Sequence, residues 1–517
     1  MGKDRIKKEA VWQEIRLERI TPEEAGVPCS AIEGFLDQIR EKQVHLHSFM
    51  MLKGDKVFAE GSYAPCRMED VHMLFSLSKS FTAVAVGFAV QEGLLSVEDR
   101  VLSFFEEGDS FAEAAEERQK RMTVRHLLTM NTGHVDAKDD TFKDMAAEWG
   151  KDFLADPPQR EPGSWFLYNT RASYMLSVIV QKVTGETVLQ YLTPRLFVPL
   201  GFSRDIWWEL SPEGCDTGGF GLNLPVEDIA RFGILLLNKG SFQGKRILEE
   251  TWVEEASRPW SDTSLTWEGE NRFGYGYQLW RCHVEDSFRG DGAYGQYCVV
   301  LPGEKMLFIS TAGQKDMQRI LDAYWQQVYS CIKKEESEKE DENGKAVGEE
   351  NGARPVAGYG KKLAGLTLPT YYEEKGIHGH EVVIPKQALD RLYRTDYNIL
   401  QITGIRFLRE GEDRYFLELH NGKNADRLPL SGERWEEGQL HIDGAYTQRN
   451  KWVFRNGLYE RLFIKGCTAE GILYMDMVFP ETAYQDTWEI RFGQEKLCIS
   501  IRRNTGFDEI DFSIMGR

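Results

Sequence analysis

From Ser76 to about Glu92 the chain carries apolar or small side chains on every side, among them Phe81, Ala83, Val84, Ala85, Val86, Gly87, Phe88, Ala89 and Val90. A helix with no polar face has to be buried at the centre of a domain, so this segment restricts the fold more than any other. Its most apolar run, Phe81 to Val90, falls well short of the about 20 residues that cross a bilayer. Other elements must therefore wrap around it.

The head of that helix reads Ser76-Leu77-Ser78-Lys79. Residues three apart share a helical face, so the Lys79 amine reaches the Ser76 hydroxyl. A serine hydroxyl is a poor nucleophile at neutral pH until a neighbour takes its proton. In the first turn of a buried helix, backbone N–H groups and the positive dipole end add stabilisation for an oxyanion. Lysine suits the base role because burial and nearby cations depress its pKa. The spacing alone is weak: about one or two chance matches are expected in a chain of this length. Ser330-Cys331-Ile332-Lys333 is such a match, and it ends a helix against a charged segment where nothing excludes water. Met73-Leu74-Phe75 before Ser76, and the buried helix after it, set the first match apart.

At 517 residues the chain exceeds the roughly 250–300 that one core supports, so two domains are expected. The seam is Lys333 to about Pro355. Between Lys333 and Glu350 fall eight acidic and four basic residues, with only Ala346 and Val347 apolar. Such a segment cannot bury enough surface to offset its ordering entropy and reads as a solvated linker. The expected layout is residues 1–332, a linker over 333–355, and a second unit over 356–517. In the first unit, strands are expected at Phe49–Leu52 and Val57–Ala59 around a Gly-Asp turn, then at Tyr275–Trp280, Tyr297–Leu301 and Met306–Ser310. A mostly helical stretch lies between, and a final helix covers roughly Met317 to Ile332. Strands at both ends of the unit bracket a helical middle, which argues for one sheet plus a helical subdomain. The second unit reads as strand upon strand, with examples at Glu381–Ile384, Tyr415–Leu419, Lys451–Phe454, Tyr474–Val478 and Thr487–Phe492. Short antiparallel strands at this spacing suggest a sandwich or small barrel.

Phe75-Ser76-Leu77-Ser78-Lys79-Ser80-Phe81-Thr82 resembles the first motif of class C β-lactamases and their esterase and peptidase relatives in the penicillin-binding-protein superfamily. Four further blocks resemble that family in the same order: Thr123 to Gly133; Glu161 to Thr170, ending in Tyr168-Asn169-Thr170; Gly218 to Gly233; and Gly290-Asp291-Gly292-Ala293-Tyr294-Gly295-Gln296. The pattern, spanning about Phe49 to Tyr329, is most similar to serine hydrolases grouped with 6-aminohexanoate-dimer hydrolase. The resemblance implies an α+β fold: a β-lactamase/transpeptidase-like domain, with an antiparallel sheet flanked by helices and a helical subdomain, followed by a smaller all-β domain. It also implies roles. Ser76 is the nucleophile, Lys79 and Tyr168 share the base and acid work, and the backbone N–H groups of Ser76 and Ala293 form an oxyanion hole. Gly292 lets the strand approach closely. Deacylation uses the same groups and a water. There are two departures from the pattern. Thr170 stands where the family has Asn, and Gly290 stands where lactamases carry Lys or His, so a cation that would hold a substrate carboxylate is missing. Arg289 is adjacent, but alternation turns it to the opposite face.

Plainer readings stand beside these. Tyr168 is alternatively a core tyrosine, Thr170 a helix cap, and the glycines at 290, 292 and 295 a bulged edge strand. Trp165 and Trp207-Trp208 line either a substrate pocket or the core. His45-x-His47 and His378-x-His380 pair imidazoles on strand faces, yet no third ligand is evident, so neither a metal nor a cofactor is expected. The balance of 63 basic against 82 acidic residues, net −19, disfavours nucleic acid and anionic membrane as partners. Eight scattered cysteines without a Cys-x-x-Cys pair, and no apolar run after Met1-Gly2-Lys3, predict a cytoplasmic protein with reduced thiols. The expected activity is hydrolysis of a small ester, amide, peptide or β-lactam through an acyl-enzyme on Ser76. The alternative is a catalytically retired scaffold that binds a peptide or cell-wall fragment, favoured by Thr170 and Gly290.

Overall fold

The computed structural model describes residues 12–13, 15–105, 115–144, 146–332, 362–377, 379, 381–398, 400, 402–411, 414–421, 424–441, 460–505 and 511–516. The expected linker at 333–355, the strand at Lys451–Phe454, His378, His380, Lys333 and the first eleven residues lie outside them.

The N-terminal part is built on a seven-stranded sheet in the order Glu18–Arg19, Lys56–Ser62, Leu46–Lys53, Met306–Ala312, Gln296–Leu301, Phe288–Gly292, Trp280–Arg281. Every pairing is antiparallel except the first. Strands from the two ends of this part therefore meet at the centre, where Leu46–Lys53 pairs with Met306–Ala312. Side chains alternate between two cores, as a period of two requires. Met50, Leu52, Cys298, Val300, Leu307 and Ile309 face one of them. Phe49, Met51, Val299, Leu301, Met306 and Phe308 face the other. Burial on both faces is why these strands read as unbroken apolar runs.

Helix Cys29–Glu41 and the C-terminal helical segment that begins at Gln318 cover the second face. On the first face lies the all-apolar helix, Ser78–Gln91, buried from Ser78 through Ala89. It packs against helices Thr170–Thr184 and Val226–Leu237, with Phe81 stacked on Phe232 at 3.9 Å. The expected helical middle is present, and among the described residues no helix is long and apolar enough to cross a membrane.

The C-terminal part contains two antiparallel sheets. Four strands run in the order Leu392–Arg394, Gly404–Glu410, Arg414–Asn421, Asn424–Leu430, and six run from Glu436–Leu440 through Glu460–Ala469, Ile472–Val478, Gln485–Phe492 and Leu497–Arg503 to Asp511–Gly516. The sheets meet along both margins: the Gly466 N–H donates to the Ser431 carbonyl at 3.0 Å, and the Asp396 N–H to Met515 at 3.2 Å. They enclose one apolar core that includes Ile405, Leu417, Leu462, Met475, Trp488 and Ile499. The fold class read from the sequence stands.

Two expected strands do not form as read. Of Tyr275–Trp280 only Trp280 enters the sheet, while the residues before it fold into a tight turn in which the Gly276 N–H donates to the Leu279 carbonyl at 2.7 Å and Gln278 takes φ +57°. Tertiary demands override β propensity here. Tyr275 pairs with Ser261, the Tyr277 N–H goes to Ala256, and the buried Gln278 amide donates to the Leu127 and Leu128 carbonyls. Glu381–Ile384 is extended but carries no ladder, because the Thr468 side chain takes one partner's place. The Thr468 N–H donates to the Glu381 carbonyl at 2.8 Å, while the Val383 N–H donates to Thr468 Oγ1 at 2.9 Å.

Candidate active site

Ser76 lies in a 3₁₀ turn, Phe75–Leu77, that leads directly into the buried helix. From Leu74 through Ala89 it is the only residue that is not buried. Lys79, one helical turn on, is 1% exposed. Its Nζ stands 3.1 Å from Ser76 Oγ, 2.7 Å from the Gly219 carbonyl oxygen and 3.5 Å from Thr170 Oγ1. The amine is thus held on three sides by oxygens, one of them the accessible hydroxyl. Ser78, between them, faces the other way and accepts from the Leu222 N–H at 3.1 Å.

Tyr168 closes the group from above. Its ring covers the Lys79 side-chain nitrogen at 4.9 Å from the centroid. The Asn169 side chain caps the helix Thr170–Thr184 by accepting from the Arg171 N–H, and the Leu167 N–H donates to Met130, so the tyrosine is fixed on both sides. The cap is Asn169, which leaves the Thr170 hydroxyl free to face Lys79. The Tyr168 ring stacks on Trp280 at 5.5 Å and meets Trp267 and Tyr275 edge-on. Burial among these rings, then the nearby Asp291 carboxylate, pushes the phenol well above its usual pKa, while the Ser76 hydroxyl, placed to donate to the phenol oxygen, pulls it down. At neutral pH Tyr168 keeps its proton.

Strand Phe288–Gly292 brings the last block against the nucleophile turn. A Cβ on Gly290 would collide with Leu77 and Ser80, and one on Gly292 with the Leu74 carbonyl. Gly292 therefore marks a close approach of two backbones, and Gly290 a close approach of the strand to the Leu77 and Ser80 side chains. A side chain at 290 would have to displace those of Leu77 and Ser80. Alternation turns Arg289 and Asp291 away from Gly290, as expected, but their face is not remote from the chemistry. They pair at 3.0 Å, and the charges of both act on Tyr168. Among the described residues, no acceptor within the chain takes the backbone N–H of Ser76 or of Ala293. Phe75 and Tyr294, which flank those two groups, both lie in the left-handed region with φ +48° and +72°. Each costs about 1–2 kcal/mol there, which the packing around it must offset.

Reading the sequence missed three contributors. The Gly219 carbonyl accepts from Lys79 at 2.7 Å, and its signal in the sequence was the Gly218-Gly219 pair. Asp291 stood inside a quoted block without a role. Trp280, the platform for Tyr168, lies in an expected strand with no role given to it. The other expected candidates separate from the site. Ser330 Oγ donates to the Gln326 carbonyl of its own helix at 2.6 Å. His47 Nδ1 faces His72 Nε2 at 3.0 Å, whereas His45 lies between Gln485 and Glu374, so the two imidazoles have different surroundings. Trp208 belongs to the core, and Trp165 stacks under Arg160 at 3.9 Å.

A family model described as Beta-lactamase matches residues 33–326. The 6-aminohexanoate-dimer hydrolase of Paenarthrobacter ureafaciens is 25% identical over 299 residues, covering 54% of this chain and 76% of that protein. Penicillin-binding protein 4 of Amycolatopsis lactamdurans is 24% identical over 340 residues, 57% and 82% of the two chains. Among solved structures, the octameric penicillin-binding protein homologue from Pyrococcus abyssi aligns with 94% of this chain and 99% of its own, at 16% identity and a TM-score of 0.45.

Proposed function

The chain belongs to the Beta-lactamase family, and we propose that it is a serine hydrolase cleaving a small ester or amide through an acyl-enzyme on Ser76. The observation that carries this reading is the 3.1 Å contact between Lys79 Nζ and the accessible Ser76 hydroxyl, with the amine held from behind by Gly219 and Thr170. Ser76 Oγ bonds to the substrate carbonyl carbon while its proton passes to Lys79. The negative oxygen that forms is received by the N–H groups of Ser76 and Ala293, and one such donor is typically worth about 3–4 kcal/mol. Tyr168, protonated at rest, donates to the leaving alkoxide or amine and recovers its proton from Lys79. Water then attacks the acyl carbon, gives its proton to the same pair, and releases the acid with Ser76 restored.

The departure at Thr170, which favoured a retired scaffold, is met by a hydroxyl standing where an amide would serve Lys79. The departure at Gly290 bears on substrate. Without a cation on that face, a carboxylate beside the scissile bond gains no ionic partner, so neutral esters and linear amides are favoured over β-lactams. A panel of p-nitrophenyl acetate and butyrate, a linear ω-amino acid amide and a chromogenic β-lactam tests this. The expected kcat/KM for the best ester or amide exceeds that for the β-lactam by at least about 100-fold, the scale of one lost charge-assisted pair in a dry site. Preferred turnover of the β-lactam would contradict the assignment.

A further inference from the structure

We propose that the C-terminal all-β unit is a working part of the hydrolytic site, with the 479–484 turn clamping the two backbone segments that carry the N–H groups of Ser76 and Ala293, and with Tyr484 as a positioning residue. This rests on the reading of Ser76 and Ala293 given above. The carrying observation is where the side chains of Phe75 and Tyr294 go. Phe75 precedes Ser76, Tyr294 follows Ala293, and both backbones are left-handed. Their rings belong to the apolar core of the C-terminal unit rather than to either core of the sheet, and Met73 and Ala293 pack against the same cluster. Phe75 meets Tyr294 edge to face at 5.2 Å and Tyr484 at 6.4 Å.

The turn that presents Tyr484 is stapled to itself. The Thr482 N–H donates to the Phe479 carbonyl, the Tyr484 N–H to Thr482 Oγ1, and the Phe479 N–H to the Tyr484 carbonyl, all within 3.0 Å. It is also fastened to the catalytic part on both sides of the ring contact. The Met73 N–H donates to the Glu481 carbonyl at 2.9 Å, three residues ahead of Ser76. Asn504 Nδ2 bridges the Ala483 carbonyl and the Gly313 carbonyl, and the next residue, Gln314, donates its N–H to the Tyr294 carbonyl at 3.0 Å. Gly313 lies so close to the Ala483 carbonyl that a Cβ there would collide. Two strained residues flanking the proposed oxyanion donors are therefore held from the same side by one rigid turn. Removing a ring from that clamp lets Phe75 and Tyr294 relax, and the donors with them.

Ordinary interdomain packing would give a different result, which separates the two accounts. The test compares wild type with Tyr484→Ala, Tyr484→Phe and Leu417→Ala, the last a truncation within the same apolar core at a residue outside the ring contact. Each is assayed for kcat, KM, melting temperature and rate of labelling by a fluorophosphonate. Tyr484→Ala is expected to lose about 30–100-fold in kcat and in labelling rate with KM within about threefold, the scale of an ångström of misplacement. Tyr484→Phe keeps the ring and is expected to stay within about twofold of wild type. Leu417→Ala lowers the melting temperature without a matching loss of kcat. Should Tyr484→Ala not fold, Tyr484→Leu replaces it with the same expected loss. A folded Tyr484→Ala or Tyr484→Leu protein with wild-type kcat overturns the clamp, as does an equal kcat loss in Leu417→Ala. Failure of wild type to label at Ser76 would instead strike the parent reading, so the two failures are distinguishable.

Discussion

Ser76→Ala abolishes turnover, lowering kcat on an activated ester by on the order of 10⁴-fold or more, and leaves the fold intact. The expectation follows from position. Ser76 is the only accessible residue between Leu74 and Ala89, so its oxygen supports a reaction rather than the packing of the helix. The residues that close the core around it, Leu74, Leu77 and Phe81, keep every contact. Lys79 retains the Gly219 carbonyl and the Thr170 hydroxyl, and its amine is not stranded. The melting temperature should therefore shift by no more than about 2–3 °C, as expected for a replacement that creates neither a cavity nor an unpaired charge. Residual rate over water would come from Ala293 and the backbone N–H at position 76, which the substitution leaves in place. Activity within about tenfold of wild type would place the nucleophile elsewhere.

Lys79→Met has nearly as large an effect on rate and, like Ser76→Ala, little effect on stability. The amine is the group placed to take the Ser76 proton, and general-base assistance of this kind contributes about 10²–10⁴-fold. A methionine of similar length fills the space but accepts no proton, so kcat should fall by about 10³-fold or more at every pH. Burial of a Lys at 1% exposure is costly, and apolar replacement removes that desolvation. Against this, the Gly219 carbonyl loses its donor, a cost of about 1–3 kcal/mol. The two terms are of similar size, so the variant is expected to melt within a few degrees of wild type. Functional residues commonly leave stability unspent in this way. A variant that retains kcat, or that fails to fold, would show that Lys79 serves the core rather than the chemistry.

The sheet and the central helix were legible because their signals are local. Unbroken apolar runs at Phe49–Leu52, Tyr297–Leu301 and Phe81–Val90 need no knowledge of distant residues. Ser76, Lys79, Tyr168, Thr170 and Gly292 are legible as candidates because ordered blocks place them, and the structure brings their atoms or backbones together. What escaped depends on partners far away in the chain. The turn at Tyr275–Trp280 exists because Gln278 is needed at the Leu127 and Leu128 carbonyls. Asp291 reads as a loop aspartate until Arg289 and Tyr168 stand beside it. The link between Tyr484 and Phe75 joins residues more than four hundred apart, and neither carries a mark of it.

The central claim is that one hydroxyl in this chain becomes acylated. Incubation of the intact protein with a fluorophosphonate, followed by peptide mass spectrometry, tests it most directly. The account predicts a stoichiometric adduct on the peptide containing Ser76, absent in Ser76→Ala. An adduct at Ser330 or another serine, or a protein that turns over an ester yet leaves Ser76 unmodified, would contradict it.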